Sequence, residues 1–218
     1  MGKKFQGVVD HYLFVGNPGT GKTTVARIMG NIFYSLGVLP SNRLLEVTRK
    51  DLVEGYVGQT ATKTARVVKR AVGGVFFIDE AYSLMGDNFG QEATNTILPM
   101  LLDYKGKMVC IAAGYPREIR QWIDTNSGLE SRFTKVIHFE DYNPDELAQI
   151  FRMKAKKDKL TLTPEAENAM RVYFTYLYNR RERNFANARE VNNYFDRVKK
   201  NQLSLIHISE PTRHAQIS

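Results

Sequence analysis

Short apolar runs alternate with longer stretches of helical periodicity through the first 140 residues of the chain. The runs at 12–15, 44–47, 75–78, 108–113 and 136–139 are short and mostly apolar, as strands buried on both faces of a parallel sheet must be. Between them the spacing predicts helices over 22–36, 60–71 and 91–103. This rhythm predicts an α/β fold: a parallel sheet of about five strands flanked by helices.

Past Phe139 the strand pattern stops. Asn143-Pro144-Asp145-Glu146 reads as a helix start, with Asn143 as N-cap, Pro144 in the first turn and Glu146 placed to close a capping box. Thr163-Pro164-Glu165 repeats the signal, and a third helix is expected over about 186–200. Three segments follow: an α/β domain over 1–142, a small helical domain over 143–202 and a tail over 203–218. In the tail, 203–213 (LSLIHISEPTR) resembles a translated sequencing adapter and is set aside as non-native, with His207 and His214 dropped as ligands. Its alternation at period two would otherwise suggest an edge strand.

The first strand runs into Gly16-Asn17-Pro18-Gly19-Thr20-Gly21-Lys22-Thr23, a match to G-x-x-x-x-G-K-[ST] between strand and helix. Glycines let backbone N–H groups turn inward onto phosphate oxygens, and the following helix points its positive end at the same anion. Lys22 would reach the β and γ phosphates, Thr23 would ligate Mg²⁺, and Thr24 adjoins them in the same turn. The run Val75-Phe76-Phe77-Ile78 ends in Asp79-Glu80, which puts two carboxylates at the C-terminal edge of a buried strand beside that loop. Asp79 would hold Mg²⁺ and Glu80 would act as general base toward water. Helix capping is the structural alternative for this acid pair. ATP and Mg²⁺ are thus the expected ligands.

Charge and cysteine content narrow the class. The formal charge is +8, concentrated in residues 151–200, where 13 basic face 6 acidic residues. Such a segment could meet nucleic acid or an acidic partner, or form solvated helix faces; no basic and aromatic interleaving accompanies it, which disfavours nucleic acid. The lone Cys110 cannot form an internal disulfide and falls in an apolar strand, so it reads as a small buried hydrophobe. No run of about 18 apolar residues appears, so no membrane span is expected and a reducing cytoplasm is the default location. Trp122 and the cluster Tyr173, Phe174, Tyr176 and Tyr178 read as helix packing.

Over about residues 8–201 the chain resembles AAA+ ATPases, on the two nucleotide motifs, the strand order and the trailing helices. The stretches DLVEGYVGQTA, GGVFFIDEAYSL, IAAGYP, GLESRF and FANAREV resemble the clade containing red-type Rubisco activase and stage V sporulation protein K. That resemblance implies ATP-driven remodelling of a protein partner by a closed homo-oligomeric ring, commonly of six subunits. It also implies that Tyr56-Val57-Gly58 is a pore loop gripping a substrate chain, where a surface turn is the alternative. Arg132 would be an arginine finger and Arg189 a sensor-2 arginine, where surface ion pairs are the alternative. Gly114-Tyr115 stands where the family commonly has a sensor-1 Asn, so Tyr115 takes that position. Few residues precede Tyr12, whereas the family has a leading segment lining the adenine pocket, so the chain reads as truncated at both ends.

Three functions follow. The leading one is a ring ATPase that remodels a protein. An ATP-dependent binding switch or scaffold is the second, and a DNA-dependent ATPase the third.

Overall fold

The structure is a computed structural model that describes residues 10–209 apart from Val57 and Asn184, with backbone alone from residue 202. It divides into two compact units between Glu140 and Asp141.

In the first unit β1 (Tyr12–Gly16), β2 (Leu44–Val47), β3 (Val75–Ile78), β4 (Val109–Gly114) and β5 (Lys135–Phe139) form a parallel sheet in the order β2-β3-β4-β1-β5. Parallel pairing needs crossovers, and the helices α1 (Lys22–Ser35), α2 (Arg49–Leu52), α3 (Gln59–Ala71), α4 (Asn88–Asp103), α5 (Pro116–Asp124) and α6 (Ser127–Arg132) supply them. β3 and β4 are buried along their whole length. Their alternate residues serve two cores: Phe77, Val109 and Ile111 join Phe14 and Leu39 on one face, while Phe76, Ile78 and Cys110 join Leu101 and Trp122 on the other. Burial on both faces is why these strands read as continuous apolar runs.

The expected boundaries differ in places. Helix α4 starts at Asn88 instead of residue 91, because the Asp87 side chain caps it by accepting from the Gly90 N–H at 2.8 Å. Helices α2, α5 and α6 were not expected, and neither was the 3₁₀ turn Ala81–Leu84.

In the second unit the predicted capping box of α7 (Pro144–Lys157) is present: Asn143 Oδ1 accepts from the Glu146 N–H at 3.0 Å, and the Glu146 carboxylate accepts from the Asn143 N–H at 2.8 Å. With α8 (Pro164–Asn179) and α9 (Ala188–Ser209) it encloses a core of Phe151, Met170, Phe174 and Phe195. Tyr173 stacks on Tyr194 at 4.2 Å, but Tyr176 is exposed and carries the Arg180 guanidinium over its ring, contrary to the packing role expected of it. Helix α9 continues past residue 202 to Ser209, so the alternation at 203–208 is helical and not a strand. The remainder of the tail, His214 included, lies outside the described residues. The excess of basic residues falls largely on exposed helix faces, some of it in ion pairs such as Arg152 with Glu167 and Lys199 with Asp158, which hold both carboxyls below their usual range.

Candidate phosphate site

Because the strand pairings are parallel, the C-terminal ends of all five lie at one edge, where open α/β sheets bind ligands. β1 leads into the glycine-rich loop. Gly19 and Gly21 hold φ at 71° and 93°, values a side chain would resist, and Gly21 sits directly before α1. The Lys22 ammonium donates to the carbonyl oxygens of Gly16 at 2.9 Å and Asn17 at 2.8 Å, so its charge is folded back over the loop. Thr20 donates to the Asn17 carbonyl at 2.8 Å and braces the same turn. Thr23 is half-buried and Thr24 exposed. Gly16 answers a different need from the one its motif suggested: it pairs with Phe139 of β5, and a Cβ there would collide with the Phe139 carbonyl oxygen and lie 2.7 Å from the Phe139 Cβ.

The two carboxylates emerge at the same edge, but not next to the loop. β4 lies between β1 and β3, and its end presents Tyr115 between the glycine loop and Asp79. At about 4.8 Å per strand spacing, the loop and acids are then about 10 Å apart. That gap is wide enough for phosphate oxygens and water between them. The Asp79 N–H continues the ladder by donating to the Val47 carbonyl at 2.8 Å, and its carboxylate accepts from the Glu80 N–H at 3.0 Å. Glu80 is exposed and holds φ at 50°, a left-handed conformation that costs on the order of 1–3 kcal/mol in a non-glycine residue. The turn lets β3 end abruptly and aims Glu80 off the strand's own line.

Tyr82, which carried no expectation, completes the acid side. Its ring lies over Gly114, where a Cβ would come within 2.7 Å of the ring, and pairs with the Tyr115 ring at 5.8 Å. Burial, then the nearby charges of Glu80, Tyr115, Glu118 and Asp79, push its phenol up to about 12.

Tyr56 also follows a strand at this edge, after β2 and α2, and is 73% exposed. Gly58 holds φ at 80° and precedes α3, while Val57 lies outside the described residues. Arg132 stands at the other end of the sheet. It closes α6 just before β5 begins, and it influences the titration of His11, which precedes β1. Five strand residues at about 3.3 Å each separate that end from the glycine loop, more than an arginine side chain spans. Arg132 Nη1 donates to Ser131 Oγ at 2.7 Å, and its buried Nε has no partner among the described residues. Arg189 is exposed in the first turn of α9, in the second unit.

The donor set fits a nucleoside triphosphate with Mg²⁺: positive-φ glycines before a helix N-terminus, one lysine, one threonine hydroxyl and one strand-end aspartate. Among the described residues no cluster of three or more His, Cys, Asp or Glu could hold a metal by itself. No described helix is long and apolar enough to cross a membrane.

Comparison with known proteins bears on the family. Residues 12–141 match the family described as "ATPase family associated with various cellular activities (AAA)", and 143–216 match an AAA lid domain. The chain is 43% identical over 201 residues to a chloroplastic Rubisco activase of Cyanidioschyzon merolae, covering 90% of this chain and 68% of the relative. It is 43% identical over 196 residues to protein CbbX of Cereibacter sphaeroides (88% and 63%), and 46% over 162 residues to the ESX-1 secretion system protein EccA1 of Mycobacterium tuberculosis (72% and 28%). The chain thus spans from about a quarter to about two thirds of these relatives' lengths. Among solved structures, the Thermotoga maritima RuvB Holliday junction branch migration motor superposes with a TM-score of 0.62 at 20% identity, covering 91% of this chain and 56% of that one. The AAA domain of FIGL-1 in complex with ADP superposes at 0.53, also at 20% identity, covering 75% and 54%. These two likenesses speak to the fold.

Proposed function

The chain belongs to the AAA ATPase family and is a P-loop ATPase; from that premise we propose that it assembles into a closed ring, hexameric in the simplest case, and couples ATP hydrolysis to remodelling a protein threaded past Tyr56. The reading is supported by one observation above the rest: Lys22 and Arg132 stand at opposite ends of the same sheet, so Arg132 can serve a phosphate site only in an adjoining copy. The identity to an activase and to a secretion-system protein supports a protein as the thing acted upon.

In this mechanism the backbone N–H groups of the glycine loop and Lys22 hold the β and γ phosphates, with Lys22 exchanging its loop carbonyls for phosphate oxygens. Thr23 and Asp79 would hold Mg²⁺, which when bound neutralises charge on the phosphate oxygens. Glu80 accepts a proton from water as its oxygen bonds to the γ phosphorus and the bond to the bridging oxygen breaks, giving ADP and phosphate. Tyr115, standing between loop and acids, is placed to orient that water. Arg132 of the adjoining copy stabilises the transferring group, a contribution worth about 10³ to 10⁵ in rate when such a finger is supplied in trans. Arg189 would report the γ phosphate to the second unit, and Val57 and Gly58 complete the gripping loop. Mixing two variants tests the shared site. Lys22→Ala and Arg132→Ala should each be inactive alone, and the mixture should recover turnover at sites pairing an intact loop with an intact finger. A mixture as inactive as its parts would count against it.

A further inference from the structure

Arg49 is the first residue of α2, on the segment that leads from β2 to Tyr56. Its guanidinium does not face solvent alone. Nη1 donates to the Ser83 carbonyl at 2.8 Å and Nη2 pairs with Asp87 Oδ2 at 2.6 Å. Ser83 lies in the 3₁₀ turn directly after Glu80, and Asp87 caps α4 through its other oxygen. The fit is close: a Cβ on Gly90, in the first turn of α4, would lie 2.6 Å from Arg49 Nη1. The planar fork of arginine addresses the two acceptors through two separate nitrogens in fixed geometry.

On the far side α2 is fastened to α3 and to the start of the Tyr56 loop. Lys63 donates to the carbonyls of Lys50 and Val53 at 2.9 and 3.0 Å, and pairs with Glu54 at 3.0 Å. The Thr64 hydroxyl donates to the Leu52 carbonyl at 2.9 Å. Within α2 Asp51 accepts from the Thr48 N–H at 2.8 Å, closing a capping box that makes four residues a rigid piece. A continuous set of bonded groups therefore joins the segment after Glu80 to the segment before Tyr56, with Arg49 as the link that crosses between them.

We propose that Arg49, through Ser83 and Asp87, is the positioning residue that couples the nucleotide state at Glu80 to the posture of the Tyr56 loop. The inference rests on the ATPase and loop roles proposed above and assigns the connection between them. A surface ion pair without this role would contribute only to stability, by a small amount.

The lone cysteine makes a direct test possible. Cys110 is fully buried, so Tyr56→Cys provides one reactive thiol for an environment-sensitive maleimide dye. In a Tyr56→Cys, Glu80→Gln background of the full chain, the dye signal is compared with ATP and with ADP, each with Mg²⁺, and nucleotide affinity is measured in parallel with a fluorescent ATP analogue. The expected result is a difference between ATP and ADP that falls about fivefold or more on adding Arg49→Ala, with affinity unchanged, since coupling factors of that size are typical between linked sites. Asp87→Asn guards against loss of fold, because asparagine keeps the α4 cap while removing the charge that holds Arg49; it should lower the signal in the same way. A signal difference that survives both substitutions overturns the proposal. So does a background protein that binds ATP but shows no difference between the nucleotides. Failure of the background to bind nucleotide at all would instead strike the ATPase site itself.

Discussion

Glu80 spends backbone strain to leave the line of β3, and a residue held in the left-handed region at a strand end is the kind of position where function, not packing, sets the conformation. Glu80→Gln keeps the shape and removes the proposed base, so turnover should fall by about 10² to 10⁴ while nucleotide still binds; a steady-state assay beside a binding titration checks both halves. His11 carries a second prediction. It is 5% exposed, and its Nδ1 accepts from the Cys110 N–H at 3.0 Å, an acceptor role open only to the neutral ring. Burial lowers its pKa below 6.5, opposed by a hydrogen bond with the Leu101 backbone and by Asp10, and assisted by Arg132 and Lys105. Below pH 6.5 the unfolded chain therefore binds the extra proton first, so this contribution to stability is complete above pH 6.5 and is lost as pH falls toward the folded pKa. Thermal melts at pH 7.5 and 5.5 should show a drop that shrinks in His11→Gln; an equal drop in both proteins would remove His11 as its cause. The phosphate motif and the acid pair were legible in the sequence because a few adjacent residues carry them. The contact of Gly16 with Phe139, the ring of Tyr82 over Gly114 and the burial of His11 were not, because each depends on residues far away along the chain.

At the scale of elements, β2 and β3 lie where the apolar runs put them, and the start of α7 follows its N-cap. The elements that escaped are short. α2 has four residues and no room for a periodic pattern, although Thr48 and Asp51 spell its capping box. α5 begins with Pro116 in its first turn, a signal in plain sight. Asn187 shows what periodicity cannot reveal. Wholly buried before α9 with φ at 49°, it accepts from the Tyr142 N–H at 2.8 Å and donates to Asp141 Oδ1 at 2.7 Å and the Phe185 carbonyl at 3.0 Å. It thereby ties the start of α9 to the chain ahead of α7. Asn187→Ala should cost on the order of 1–3 kcal/mol, since it strands the Tyr142 N–H. Denaturant unfolding of the full chain should lose stability in the transition of the second unit, and an unchanged midpoint would mean that water replaces the amide.

At the scale of the molecule, the sheet order decides how the chemistry can be assembled. With β4 between β1 and β3 the candidate site has a gap for phosphate and water, and Arg132, ahead of β5, stands at the far end of the sheet from it. Neither feature could be read from motif spacing, because strand order is a property of the folded sheet. In the proposed ring, a head-to-tail contact would bring Arg132 of one copy to the phosphate site of the next. The most direct measurement is ATP turnover per subunit against protein concentration, with Glu80→Gln as the blank. Shared sites predict a rate per subunit that rises with concentration to a plateau and is absent in Glu80→Gln; a rate that stays high and level on dilution would contradict them.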